Sequence, residues 1–377
     1  MRRKEVLILS SIDWDFLWQR HQILATLFAR AGWKVVYVDG TGIRNPGLKE
    51  TLRIIFNKIL GIGKPHKNPL PEGCHRIKPL TLPSTYKIYR KINGKFMVPT
   101  LVKRIKKTGI KNPIVIAYLP TQTTLDILKG IKYRLLIYDC VSNFKGIPGI
   151  PEDIPEREKE LIGLSNIILA DSDFLYKKMN NMAPDRVFQI MPGVDYELFS
   201  RGDSGPIKQI KRLCYFGGIN IERIDLPMIF SIARKMPDKE FVFIGPLKNK
   251  ISDRPENVIF LPQMKKEELP EKLRDCDCIL LPYKKTTLTR GIIPAKFFEV
   301  LATGKPVIAT GIEENIKKYS DIIYIARTEE EFYELLEKII HLETGEKYLK
   351  RKSLAKENSW EKRFQTILKI IEENEKE

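Results

Sequence analysis

Short apolar runs alternate along the 377-residue chain with longer stretches of helical periodicity. The runs at 5–10 (EVLILS), 34–39, 113–118, 134–139 and 166–171 form one set, and those at 212–217, 240–245, 257–261, 278–283, 305–310 and 322–326 form a second. Each is apolar at nearly every position, as strands buried on both faces are, rather than alternating like the strands of a sandwich. Between them lie amphipathic segments such as ILATLFARAG, so the pattern predicts parallel βα units. The segment FSRGDSGPIKQIKR, Phe199 to Arg212, is rich in Gly, Ser, Pro and charge and reads as an interdomain linker between two Rossmann-like α/β halves. The length also favours two domains, and no fixed-period repeat is present.

In open parallel sheets, ligands bind at the carboxyl ends of strands, so the loops there are the first places to look for chemistry. Four stand out: Ser10–Gln22 (SSIDWDFLWQRHQ), Asp139–Phe144, Asp171–Leu175 and Gly217–Leu226. The stretch Gly291–Thr310, GIIPAKFFEVLATGKPVIAT, is the most specific. Pro294 suits a first helical turn and Gly304 a helix end, which predicts a short helix over Ala295–Thr303 feeding the next strand. At 100° per residue, Lys296, Glu299 and Thr303 share one face while Phe297, Phe298 and Leu301 turn inward. A lysine at a helix start suits phosphate, and a carboxylate one turn later accepts bonds from sugar or ribose hydroxyls. In isolation the same pair reads as a surface ion pair.

Composition changes this picture in three ways. No apolar run approaches the roughly 20 residues of a membrane span, and the first apolar run is too short for a secretory signal, so a cytoplasmic location is expected. The five cysteines (Cys74, Cys140, Cys214, Cys276 and Cys278) contain no CxxC pair, and the expectation is buried reduced thiols with no metal site and no disulfide framework. The net charge of +18 is uneven: Lys49–Asn112 holds sixteen Lys or Arg against two acids, a net +14 in one stretch. Basic residues alternate there with Ile, Leu, Phe, Tyr and Val, as on surfaces that meet anionic lipid, although a solvated basic face gives the same pattern. No nucleic-acid motif accompanies it, so no nucleic-acid partner is expected.

The chain resembles the GT-B nucleotide-sugar glycosyltransferases, in particular the group 1, family 4-like set. The residues that carry the likeness are WDFLWQRHQILATLFARAGWKVVYVD, QIMPGVDYELF, YFGGINIERIDL, and LPEKLRDCDCILLPY followed by PAKFFEVLATGKPVIAT. The resemblance implies two Rossmann-like domains facing across a cleft, with the acceptor in the first (1–199 plus 358–377) and the nucleotide-sugar donor in the second (200–357). NSWEKRFQTILKII, Asn358–Ile371, looks like the family's helix that returns to the first domain. Carried over residue by residue, Gly217 and Gly218 lie where backbone approaches the donor diphosphate, Arg223 where a basic residue binds phosphate, and Gln263 and Met264 where backbone meets the nucleobase. Lys296 falls at the phosphate end, and Glu299 matches the second carboxylate of the family's Glu-x7-Glu pattern. Two departures are visible: Gly291 replaces the first carboxylate, and Met191-Pro192-Gly193 stands where Pro-Asn-Gly is usual.

On this reading Ser10–Gln22 forms the acceptor-side wall, with Trp14 or Trp18 offering a stacking face and Arg20 reaching phosphate at a helix start. If the anomeric centre inverts, a base must deprotonate the acceptor hydroxyl, and Asp13, His21 and Asp139 are the candidates. His21 falls near the faces of Leu24 and Phe28, so it reads equally as a core histidine. If the reaction retains configuration, charge on the leaving diphosphate is met by Arg223, Lys296 and helix N-termini. The expected partners are a nucleotide-sugar donor, a glycan or lipid-linked acceptor and an anionic membrane surface, with no cofactor or metal. A nucleotide-sugar epimerase and a non-catalytic binding protein are the alternatives, the latter because of Gly291.

Overall fold

The computed structural model describes residues 4–375 apart from 17, 42–67, 83, 85, 147–148, 248–250, 287–288 and 290–292. Part of the basic stretch and Gly291 therefore lie outside the described residues. The chain forms two compact units, Met1–Ile190 with Phe364–Glu377, and Met191–Arg363.

The first unit is built on seven strands, β1 (Glu5–Leu9), β2 (Lys34–Val38), β3 (Cys74–Ile77), β4 (Ile114–Ala117), β5 (Leu135–Cys140), β6 (Ile167–Ala170) and β7 (Val187–Gln189). All pair in parallel, in the order β3-β2-β1-β4-β5-β6-β7. The five strands expected from the apolar runs are present. The two that the pattern missed, β3 and β7, are the edges of this sheet, and each is short and partly polar, CHRI and VFQ, as an edge strand is free to be. One face packs against α1 (Arg20–Arg30) and the carboxyl half of the terminal helix, with Phe364 edge-on to Phe28 at 4.9 Å. The other packs against α2 (Val98–Lys107), α3 (Gln122–Gly130), α4 (Ile154–Leu164) and α5 (Asp173–Asn180).

The second unit holds β8 (Arg212–Phe216), β9 (Glu240–Ile244), β10 (Val258–Leu261), β11 (Cys278–Pro282), β12 (Val307–Thr310) and β13 (Tyr324–Ile325), parallel in the order β10-β9-β8-β11-β12-β13. All six follow the predicted runs. The boundary differs from the expected 199/200 and 357/358 divisions: the units part after Ile190 and after Arg363. Met191, Val194 and Phe199 are buried in the second unit's core, and Trp360 lies against Gly193, where an added Cβ would meet its ring. Apolar burial, rather than the polar linker composition, decides where one core ends.

The cysteine expectation is corrected in part. Cys74, Cys140 and Cys278 are buried free thiols, but Cys214 on β8 and Cys276 ahead of β11 form a disulfide. Strands β8 and β11 are adjacent, and their pairing of Ile279 with Cys214 brings together two cysteines that are 62 residues apart in sequence. Among the described residues no helix is long and apolar enough to cross a membrane.

Candidate functional site

Each sheet reverses its strand order beside its first strand, between β1 and β4 in the first unit and between β8 and β11 in the second. The carboxyl ends there open a crevice in which ligands of such sheets sit.

In the second unit, β8 runs into Gly217 and Gly218. Gly217 has φ +115° and donates its N–H to the Ile244 carbonyl at 2.8 Å, a conformation that L side chains rarely adopt. Gly245, at φ +147°, lies so close that a Cβ there would strike the Gly217 carbonyl. Around Gly218 there is open space, so its backbone is free to approach a ligand. The chain then turns: Asn220 accepts at its carbonyl from the Arg223 and Ile224 N–H groups at 2.9 and 2.8 Å. The Arg223 carbonyl accepts from Lys284 N–H, which ties the turn to the loop after β11. The Arg223 side chain is half-buried and forms no ion pair among the described residues.

Lys296 lies next to this loop. Its Nζ stands 4.0 Å from the centroid of the Tyr215 ring and donates to the Phe216 carbonyl, the residue before Gly217. Burial lowers the ammonium's pKa, partly opposed by Tyr283 and Glu299. Burial raises the Glu299 carboxyl to about 7, against the pull of Lys266 and Lys296. The helix is shorter than expected, Phe297–Ala302, with Lys296 at its N-cap position. Thr303 falls outside it, fully buried with its hydroxyl turned to the Val300 carbonyl, so the presented face is Lys296 and Glu299 without Thr303. Gln263 is exposed, and Met264 is partly buried against the core. The aromatic seat of Lys296, formed by Tyr215 and Phe216, was not anticipated: in sequence these residues read only as strand core.

In the first unit, the carboxyl ends carry a row of polar residues on one sheet face. Tyr118 donates its N–H to the Leu9 carbonyl at 3.2 Å, and register places Asp139 beside Tyr118. Asp171 lies two residues beyond Leu169, the partner of Asp139, and so on the same face. The first turn of α1 covers this row. Arg20, nearly buried, pairs through Nε with Asp139 Oδ2 at 2.7 Å and donates from Nη1 to the Ile190 carbonyl at 2.8 Å. His21 is also buried, with its Nε2 2.8 Å from Ser11 Oγ and its ring 3.8 Å from that of Tyr118. Burial and then the Arg20 charge push its pKa down to about 3, so the imidazole is neutral. Burial raises Asp171 to about 7, with Arg20 opposing and Asp139 adding. Among the described residues, four buried atoms in this group have no hydrogen-bond partner: Arg20 Nη2, His21 Nδ1, Tyr118 Oη and Asp139 Oδ1.

The opening loop departs from its expected role at Trp14. Its side chain is fully buried, edge-on to Trp18 and Tyr37 at 5.3 and 4.9 Å, and its Nε1–H donates to the Asn68 carbonyl. It offers no stacking face, because a large ring at a strand end gains more from the core than from solvent. The exposed aromatic of the loop is Phe16, and Asp13 is the exposed acid. Arg20 is expected from the sequence to reach phosphate; in the structure it pairs through Nε with Asp139 Oδ2, while its Nη2 and Asp139 Oδ1 stay unpartnered among the described residues. Asp15 is held by Arg76, which also pairs with Asp39. The signal for the row was available in sequence, since Tyr118, Asp139 and Asp171 each continue an apolar strand with one polar residue.

Residues 211–342 match the family described as glycosyl transferases group 1. A curated relative from Bacillus subtilis, described as a putative teichuronic acid biosynthesis glycosyltransferase TuaH, is 28% identical over 235 residues, 57% of this chain. The match spans 59% of that relative's own length. Among solved structures, sucrose-phosphate synthase from Thermosynechococcus elongatus aligns at TM-score 0.68 with 14% identity over 98% of this chain and 99% of its own. Anabaena HepE in complex with UDP-glucose aligns at 0.65 with 12% identity over 98% and 99%. At these identities the structural likeness shows the fold, which is that of the GT-B glycosyltransferases.

Proposed function

We propose that this chain, a group 1 glycosyltransferase by family and GT-B in fold, moves a sugar from a nucleotide diphosphate to a glycan or lipid-linked acceptor in cell-surface polysaccharide synthesis. The observation that carries the donor assignment is the Gly217–Gly218 turn at the strand-order reversal, open at Gly218 and flanked by Arg223 and Lys296. Backbone N–H groups approach the diphosphate where no side chain intervenes, Arg223 pairs a phosphate oxygen, and Lys296 adds a second cation. Lys296 is held by a ring face and a carbonyl, so a phosphate presents it with a stronger partner than it now has. Negative charge develops on the diphosphate as the glycosidic bond breaks, and preorganised donors of this kind lower that barrier. Glu299, once ionised, accepts from donor hydroxyls.

A HepE structure holds UDP-glucose, which makes uridine nucleotides the first donors to test. The TuaH relative's description supports a polysaccharide product, and the basic stretch supports an acceptor held at an anionic membrane face. The polar row of the first unit is assigned to acceptor positioning: His21 is neutral and already hydrogen-bonded, which favours a role in shaping the site over that of a base.

A thermal-shift screen with UDP-glucose, UDP-galactose, UDP-N-acetylglucosamine and GDP-mannose tests the donor assignment, since a ligand that binds only the folded state raises apparent stability. At least one should raise the melting temperature and release nucleoside diphosphate when lipid-linked acceptors are added. Binding without release would favour the non-catalytic reading, and no shift with any donor would refute the assignment.

A further inference from the structure

We infer that a groove on the first unit, between α2 and α3, holds one anionic membrane phospholipid, an alkyl chain on the floor and its phosphate among the lysines. The groove is open along one side and spans about 890 Å³. Its floor is Gly94, Val98, Pro99, Val102 and Gly130. On α2 and the turn before it, positions 94, 98 and 102 form one stripe beside Pro99, so the floor runs for about 12 Å along the helix, and the stripes continue into the lysines at 103, 106 and 107. Gly130 keeps it shallow and smooth, since a Cβ there would meet Val102 Cγ2 at 2.8 Å.

The rim carries Lys103, Lys106, Lys107 and Lys129. The first three are exposed and form no ion pair among the described residues, and Lys129 reaches Glu160 only at 3.8 Å. The acid in the lining, Asp126, accepts from Gln122 Nε2 at 2.8 Å. Ahead of the groove, Ile88 and Phe96 stand 58% and 61% exposed, and Lys95 lies over the Phe96 ring at 5.4 Å. Phe96 lies within Asn93–Met97, a π-helical turn of a kind often found at functional sites.

These features select one occupant. An apolar floor bounded on one side by unpaired lysines complements a molecule that is apolar along its length and anionic at one end. A nucleic-acid backbone would use the lysines and leave the floor uncovered. Exposed Ile88 and Phe96 enter a headgroup layer, and the lysines gain from its negative potential. The inference rests on the reading that the basic stretch meets an anionic membrane, and it adds the place and stoichiometry of a lipid site.

Two arms separate the groove from the membrane reading. In the first, monomeric lysophosphatidylglycerol, below its micelle concentration, is titrated into the full chain, with lysophosphatidylcholine and glycerol phosphate as controls. One equivalent should bind, and the controls should bind at least tenfold more weakly. Pro99→Trp and Gly94→Leu fill the floor, and Lys103→Glu/Lys106→Glu reverses the rim; each should weaken binding at least tenfold with an unchanged melting temperature. Two floor variants are used so that misfolding of one leaves the other decisive. In the second arm, phosphatidylglycerol vesicles are compared with phosphatidylcholine vesicles by flotation. Anionic vesicles bound equally by wild type and floor variants, with no monomer binding, would overturn the groove and leave the membrane reading intact. Failure of both arms would overturn both, and binding of an oligonucleotide that survives the floor variants would assign the lysines to nucleic acid instead.

Discussion

His21→Gln tests the first unit most directly. In the native state His21 holds its proton only below about pH 3, because it is buried and faces the Arg20 guanidinium. In the unfolded chain it titrates near 6.5. The folded pKa is depressed, so the stability that neutral His21 contributes is complete above about pH 6.5 and is lost as pH falls toward 3. Between pH 7 and pH 5 the unfolded chain takes up nearly a full proton that the native state refuses, a loss of about 2 kcal/mol. For a unit of about 200 residues this lowers the melting temperature by about 5 °C. Glutamine cannot titrate, yet its amide can still meet Ser11 Oγ. The variant should melt lower at pH 7, because the ring contact with Tyr118 is lost, but its decline from pH 7 to pH 5 should be smaller than the wild type's by that amount. Asp171, raised to about 7, works with the opposite sign, binding a proton more readily when folded; it is common to both proteins and cancels in the comparison. Three of the four tryptophans, Trp14, Trp18 and Trp33, belong to the first unit, so fluorescence melts report on it. Equal declines in the two proteins would refute the claim that His21 is held neutral.

The donor site predicts that Lys296→Ala weakens nucleoside diphosphate binding by about 1.5–3 kcal/mol, the range for a charge-assisted hydrogen bond, and titration calorimetry reads it directly. Glu299→Gln should leave nucleoside diphosphate binding intact and weaken nucleotide-sugar binding above pH 7, where Glu299 is ionised; unchanged affinities in both variants would remove the site. Reduction of the Cys214–Cys276 bond should destabilise the second unit by about 4 kcal/mol on the loop-entropy account, seen as a lower melting temperature in dithiothreitol and abolished in Cys214→Ala/Cys276→Ala. Trp14→Ala should cost about 3–5 kcal/mol of stability as a core truncation; a stable variant with impaired acceptor transfer would instead restore its stacking role.

Nine of the thirteen strands are central and legible in the sequence because a central parallel strand must be apolar on both faces, a constraint written into consecutive residues; the edge strands β10 and β13 are legible as well because their own runs are apolar. The edge strands Cys74–Ile77 and Val187–Gln189 escape it because they are short and partly polar, CHRI and VFQ, with residues left partly exposed. The donor loop is legible for a similar reason: Gly217 must adopt φ +115°, and that local demand shows as a glycine. Trp14 and Arg20 are adjacent to polar loop residues in sequence and give no sign that they will be enclosed, whereas the helical position of His21 beside Leu24 and Phe28 left its burial open. The disulfide is equally silent, since strand order alone makes Cys214 and Cys276 neighbours. Sequence by itself determined what each segment requires of its own backbone and burial, because propensity and periodicity act over a few residues. Which charges meet, which rings leave solvent and how far Lys296 and His21 depart from their usual titration depend on groups distant in the chain, and only the tertiary structure brings those together.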